Sequence, residues 1–427
     1  MKTVLILGLH SALNSGDAAL ATVAVTLARR AFPDARIVLS ANDPANYAGF
    51  ADETIGSLVS SIWNQPRSAA LARKTWTVLS LPIALILSVI SFALSRRAFV
   101  AGLLREQADL LSAIAKAQTV LACPGGYLYE RTSFGSFVGT IFPFAVARMF
   151  GKRVIFLPQS IGPCKNRWQR SALKWILRKA AAIMARERIS QQFVAELLGG
   201  EPANVMLMPD LGFAYVGDSH SMARDFLRAH GVPVDSGAPC IGVTVIKHAT
   251  QTGNASIQAA YEAAILAALL KHSEVVGGPL HVVWLPQCRG PGPLEDDRDV
   301  IRSMVARSPA DGRLIMRILE GDVPLGLLWA CYGCLDVLIG TRMHSGIFAM
   351  SQGVPVVAIS YLHKTEGIMA ALGLGDYVLA ADGITAENIT DRLFSLYRGA
   401  VTRKDLAQRV DALKAQLEPL AELLPSL

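Results

Sequence analysis

In the first half of the chain the apolar positions gather into short aliphatic runs. Each run is followed by a Gly-rich or polar turn and then by a stretch with helical spacing. This alternation predicts βαβ units and a parallel sheet. The runs are Thr3–Leu9, Arg36–Leu39, Thr119–Ala122, Arg153–Leu157, Ala182–Ala185 and Val205–Met208. Most are continuous in Val, Ile and Leu rather than alternating with polar residues, as strands covered on both faces must be. The same rhythm restarts at Cys240–Ile246 and continues through Leu280–Leu285, Leu314–Ile318, Val337–Ile339 and Val354–Ile359.

Between the two series lies Gly217–Pro239, a polar, Gly- and Pro-containing passage with one short amphipathic stretch. The pattern therefore predicts an N-terminal Rossmann-like domain over 1–216, a linker over 217–239, a C-terminal Rossmann-like domain over 240–400 and an amphipathic closing helix over 401–427. Two doubly wound α/β domains facing a central cleft is the economical architecture, and it resembles the GT-B arrangement of glycosyltransferases. Ligands are expected at the carboxyl ends of the strands.

One segment does not fit this pattern. Thr75–Leu94 has twenty uncharged, mostly apolar positions between Arg73–Lys74 and Arg96–Arg97, long enough at about 1.5 Å per residue to cross a roughly 30 Å hydrocarbon core. A single crossing would separate the first two βα units from the rest of their own sheet. Basic residues at both ends also give no inside–outside asymmetry. The expectation is an apolar helical insertion, kinked at Pro82, that attaches to a membrane surface at the interface or packs into a core or dimer contact.

Composition narrows the function. With 427 residues, 52% hydrophobic and 18% charged, the chain can bury two cores, and its net charge of +7 is modest for that length. Nearly equal totals of basic and acidic residues argue against a nucleic-acid-binding arm. They fit a membrane surface or a small anionic substrate better. The six cysteines show no framework spacing; Cys331 and Cys334 form one C-x-x-C pair in an apolar stretch with no second pair, so buried thiols are expected rather than a metal site. The N-terminus reads directly into a strand without a small-residue cleavage site, which predicts cytoplasmic residence, peripheral on the inner face of the membrane.

The polar residues at strand ends carry the candidate chemistry. Asn14, Ser15, Gly16 and Asp17 open a helix after the first strand, where free N–H groups attract phosphate, although Asn and Ser there also serve as ordinary caps. Gly125 and Gly126 follow another strand and leave room for a ligand against the backbone. Gln159 ends a third strand. Arg186 ends a fourth, where a planar guanidinium can grip a carboxylate or phosphate in two places, and Asp210 at a neighbouring strand end can orient it. The richest stretch runs from Gly340 to Gly367, where two adjacent βα turns carry Arg342, His344, His363, Lys364 and Glu366. Several cationic or titratable groups at one sheet edge are costly to bury without an anionic ligand.

In order, N-x-G-D, G-G, P-Q-S-I-G-P, A-R-E-x-x-S, P-D-x-x-F, G-T-R-M-H and G-V-P-V-V-A-I-S-Y-x-x-K resemble the motifs of the polysaccharide pyruvyl transferase family, from about Gly8 to Gly375. The chain departs from that pattern at Tyr127, where many relatives carry a third Gly, and in its apolar insertion. The resemblance implies transfer of the pyruvyl group of phosphoenolpyruvate onto a saccharide acceptor, lipid-linked in one version, to form a pyruvate ketal. No cofactor or metal is implied beyond that co-substrate. It further implies His344 and Arg342 as catalytic residues and Arg186, Arg342, Lys364, Asn14 and Gly16 as donor-binding. Asp17, Gly125, Gly126, Gln159, Asp210 and Glu366 fall on the acceptor side or in support, with the general base open between Asp17 and Glu366. A nucleotide-sugar glycosyltransferase on the same architecture and an inactive partner in an envelope-polysaccharide complex are the competing readings.

Overall fold

A computed structural model describes residues 2–58, 108–234, 237–292 and 295–427. The apolar segment at 75–94 lies outside the described residues. Two parallel sheets organise the chain, and each belongs to its own compact unit.

The first unit comprises Met1–Ala12, Leu20–Leu211 and Gln416–Leu427. Its strands are β1 (Lys2–Leu9), β2 (Ala35–Ala41), β3 (Glu53–Gly56), β4 (Thr119–Ala122), β5 (Gly125–Leu128), β6 (Arg153–Ile161), β7 (Ala182–Ala185) and β8 (Val205–Leu207), paired in the order 3-2-1-4-6-7-8 with β5 joined to β6. All pairs are parallel. The aliphatic runs become the central strands because helices cover both faces: Leu5, Leu7, Val120, Phe156 and Ile183 are buried in one core with Phe137, Phe144, Leu173 and Leu177 from the flanking helices. The chain's final residues return to this unit, where the Arg153 guanidinium donates to the Leu424 carbonyl at 2.7 Å.

The second unit comprises Leu13–Ala19 and Gly212–Ala415. Its strands are β9 (Cys240–Thr244), β10 (Leu280–Trp284), β11 (Leu314–Ile318), β12 (Val337–Gly340), β13 (Val356–Ser360) and β14 (Val378–Ala380), in the order 11-10-9-12-13-14. Strand order reverses between β9 and β12, and that is where an open α/β sheet leaves a crevice for ligands. The passage at 217–239 includes the short amphipathic stretch that its sequence suggests. It carries the His220–Ala229 helix, N-capped by Ser219, and contributes to the second unit, with the Asp218 amide donating to the Gly326 carbonyl at 3.1 Å.

In the second unit His248 and His272 are buried and His281 is half-buried, and burial lowers the proton affinity of all three; Arg317 adds to the effect at His281, while Glu262 opposes it at His248. The unfolded chain then binds more protons than the folded one as the pH falls through the ordinary imidazole range near about 6.5. Stability is therefore complete above that pH and declines below it. Thermal melts followed by circular dichroism should show the midpoint dropping between about pH 7.5 and about pH 5.5. A midpoint that rises or stays level over this range would contradict the assignment of these side chains as neutral.

Candidate active site

The second sheet brings the richest sequence stretch to its switch point. Gly340, the last residue of β12, is in register with Thr244, the last of β9. The chain then turns through Thr341 and Arg342 into the Met343–Met350 helix. Thr244 holds this turn: its carbonyl accepts from the Thr341 amide at 3.2 Å and its hydroxyl meets that of Ser345 at 2.8 Å. The Ser345 hydroxyl donates back to the Arg342 carbonyl at 2.5 Å. A turn fixed in this way sets the direction of both Arg342 and His344.

The Arg342 side chain is 10% exposed and meets Asp297, which is buried. Its Nη2 donates to Oδ1 at 2.5 Å and its Nε to Oδ2 at 3.2 Å, a forked pair. Asp297 also accepts from the backbone amides of Cys288, at 2.9 Å, and Gln287, at 3.2 Å. Burial pushes the Asp297 carboxyl up against the pull of the guanidinium. Burial also works against the Arg342 charge, but Asp297 first, then Tyr361 and Cys288, raise its proton affinity above the usual value, so it stays cationic. Asp297 takes only the Nε–Nη2 edge. Among the described residues Nη1 has no acceptor, so the outer edge of a rigidly held guanidinium is available to a ligand.

His344 is half-buried and rests on the start of the Ser15–Ala31 helix. A Cβ added to Gly16 would lie 2.2 Å from the imidazole Nδ1 and 2.5 Å from its Cγ, so only glycine lets the ring sit there. The helix start is itself fixed to the β10 loop. Asn14 bridges Cys288, the Ser15 amide donates to the Gln287 carbonyl at 2.9 Å, and the Asn14 Oδ1 accepts from the Gly16 amide at 3.0 Å. Two helix N-termini, one opening at Ser15 and one at Met343, thus meet at His344, each favourable to negative charge. Asp17 lies in the first turn of the former helix and is half-buried.

Beyond β13, Tyr361 leads into the His363–Ala371 helix. Lys364 is half-buried at its start, and Glu366 is exposed, its Oε1 accepting from the Ser360 hydroxyl at 3.2 Å. Sequence reasoning overlooked two residues here. Asp297 reads as half of a doubled Asp at a helix start, and Asp296 is indeed the cap, accepting from the Arg298 amide at 3.0 Å. His248 is fully buried, edge-on to Tyr261 with ring centroids 4.7 Å apart and to Tyr361 at 6.4 Å, and the Tyr261 hydroxyl meets that of Thr341 at 2.6 Å. Nothing in its sequence context distinguishes His248 from a core histidine.

The remaining candidates belong to the first unit. Arg186 is tied to its own neighbours: Nη1 donates to Asp210 at 2.6 Å and Nε to the Ser160 hydroxyl at 2.8 Å, and its side chain is 1% exposed. Glu187 accepts from Ser160 and Ser190 beside it. Gly125 and Gly126 form the start of β5 rather than a turn, and Gly125 is in register with Gln159 on β6. Gln159 is fully buried, and among the described residues neither its amide nitrogen nor its amide oxygen has a partner. Tyr127 packs on Gly8, whose φ of 89° and contact with the ring both require glycine; its hydroxyl donates to the Cys123 carbonyl at 2.8 Å.

Comparison with known proteins bears on the fold and the family. Over 53 residues the chain is 53% identical to the amylovoran biosynthesis protein AmsJ of Erwinia amylovora, a match spanning 12% of this chain and 12% of that protein. In fold it is similar to the UDP-GlcNAc 2-epimerase of Neisseria meningitidis bound to UDP-GlcNAc, with TM-score 0.56 and 11% identity over 100% of both chains. A second likeness is to Anabaena Alr3699/HepE in complex with UDP and glucose, with TM-score 0.52 and 12% identity over 100% of both. These likenesses establish a GT-B-like α/β fold with two parallel sheets. The model of the family described as polysaccharide pyruvyl transferase matches residues 14–363, from the asparagine that fixes the first helix to the histidine that opens the turn after β13. That span takes in Asn14, Gly16, Asp297, Arg342, His344 and Tyr361, and the chain belongs to the polysaccharide pyruvyl transferase family.

Proposed function

We propose that this chain transfers the pyruvyl group of phosphoenolpyruvate onto a pair of hydroxyls of a saccharide in exopolysaccharide synthesis, with Arg342 and His344 as the centre of the reaction. The observation that carries this reading is the forked Asp297–Arg342 pair, which leaves one edge of a fixed cation open two positions along the chain from His344, where two helix N-termini meet. The donor carries a phosphate and a carboxylate. It needs several positive groups fixed before it arrives, because groups already oriented cost no reorganisation when charge moves. Arg342, Lys364 and the positive ends of the helices that open at Ser15 and Met343 supply them. Arg186 has Asp210 and Ser160 as partners, so in this proposal it organises the strand ends of the first unit.

In the reaction, His344 gives a proton to the donor's methylene carbon, which becomes a methyl group, and positive charge develops at the adjacent carbon. One sugar hydroxyl adds to that carbon and loses its proton to a base, Asp17 or Glu366. The bond between that carbon and the phosphate oxygen breaks, phosphate leaves, and the second hydroxyl closes the ketal while its proton goes to solvent or phosphate. The match to an amylovoran biosynthesis protein supports a role in exopolysaccharide synthesis.

The test is to incubate the protein with phosphoenolpyruvate and saccharide acceptors, free and lipid-linked, and to follow both phosphate release and the mass of a pyruvate ketal. Release of nucleotide from a nucleotide sugar, with phosphoenolpyruvate inert, would overturn the proposal.

A further inference from the structure

The chain's balanced totals of basic and acidic residues conceal a local excess. From Arg131 to Arg186 there are eleven Arg and Lys residues and no Asp or Glu, so the rest of the chain sums to 7 − 11 = −4. Three of the eleven lie on one helix of the first unit, Arg167–Leu177, and Arg178 and Lys179 follow it directly. Leu173, Ile176 and Leu177 face the core, while Arg167, Trp168, Ser171, Lys174, Trp175 and Arg178 are exposed at the spacing of a single helical stripe. Trp168 is 41% and Trp175 43% exposed, and Phe134, packed on Trp168 at 5.3 Å, is 70% exposed. Arg148 lies over the Trp175 ring at 4.2 Å.

Counter-charges are missing on this stripe. Arg170, at its edge, pairs with Glu196, but among the described residues Arg148, Arg167, Lys174, Arg178 and Lys179 pair with no carboxylate. Arg148 and Lys179 also line a cavity of about 400 Å³ beside the helix, and Arg148 has a buried Nη1 with no partner among the described residues. Burial, and then the nearby Arg178, lower the proton affinity of Arg148. Like charges are crowded here with no carboxylate among the described residues to relieve them.

We propose that the exposed face of the Arg167–Leu177 helix, with Phe134 and Arg148, docks the protein on an anionic membrane surface. Tryptophan and phenylalanine flanked by lysine and arginine suit the interface, where the rings enter the headgroup region and the cations meet lipid phosphates. No residue of this face is among those given a part in the proposed reaction, so it stands or falls independently of the donor chemistry.

The experiment is co-sedimentation of the full chain with vesicles of phosphatidylcholine alone and of phosphatidylcholine with about 30% phosphatidylglycerol. The wild-type protein should bind the anionic vesicles, release them as salt is raised, and show a blue shift of tryptophan emission on binding. Each surface Lys or Arg contributes roughly fivefold in partition, so Lys174→Glu with Arg178→Glu should lower binding by at least about 25-fold. Trp175→Ser should weaken it while reducing the emission shift. Both variants should turn over a soluble acceptor at the wild-type rate, which also shows that they are folded. Equal binding by wild type and the double variant, salt-insensitive binding, no binding to anionic vesicles, or binding to an oligonucleotide in preference to vesicles would each overturn the proposal.

Discussion

Replacing His344 with alanine is expected to lower pyruvyl transfer by roughly 10²- to 10⁴-fold, the usual worth of a positioned proton donor, while phosphoenolpyruvate binding stays within a few-fold of wild type. The basis is geometric. The imidazole is held between the turn fixed by Thr244 and a helix start that tolerates only glycine at position 16. Gly16→Ala should therefore act through the same side chain, because the new methyl group occupies the space of the ring and pushes it out of line. Single-turnover kinetics alongside donor titration separate the outcomes. Near-normal turnover in His344→Ala would remove this residue from the chemistry, and a Gly16→Ala enzyme with full activity would show that the ring's position does not matter.

The second large effect concerns stability as well as activity. Asp297→Ala leaves Arg342 with its charge buried and without its partner, and it deprives the amides of Gln287 and Cys288 of their acceptor. Removing one member of a buried ion pair destabilises a protein by about 3–5 kcal/mol, and urea denaturation should register a loss of that order in the second unit. Asp297→Asn keeps the shape and some of the hydrogen bonds, so its loss should be smaller, yet its Arg342 would be less firmly aimed and donor affinity should still fall. If the alanine variant is as stable as wild type, the pair is not holding the guanidinium in place. If the asparagine variant binds phosphoenolpyruvate normally, the aim of the guanidinium is not what the donor reads.

Much of the scaffold was legible because parallel strands buried on both faces leave continuous aliphatic runs, and β1, β6, β9 and β10 lie where those runs predict. The elements that escaped notice are short or edge strands. Glu53–Gly56 is a half-exposed edge strand with a polar start, Val378–Ala380 is only three residues long, and Gly125–Leu128 begins with two glycines and reads as a turn. Position at the end of a strand marked Arg342 and His344 as candidates, since the sheet fixes where a strand's carboxyl end points. What a local pattern cannot supply is the partner. Asp297 reaches Arg342 across 45 residues, and Gly16 and His344 meet only because the start of the first long helix packs with the second sheet. Arg186 illustrates the converse: its strand-end position is shared with Arg342, but Asp210 and Ser160 take up its donors.

The claim on which the rest depends is that the outer edge of Arg342 receives the donor. Calorimetric titration of phosphoenolpyruvate into the wild-type protein, Arg342→Ala and Arg342→Lys tests it directly. A lysine keeps the charge beside Asp297 but cannot offer a second, parallel donor edge. Saturable binding to the wild-type protein, weakened by about tenfold or more in both variants, is the predicted result, since hydrogen bonds to charged groups are worth about 1.5–3 kcal/mol. Equal affinity in all three folded proteins would contradict it.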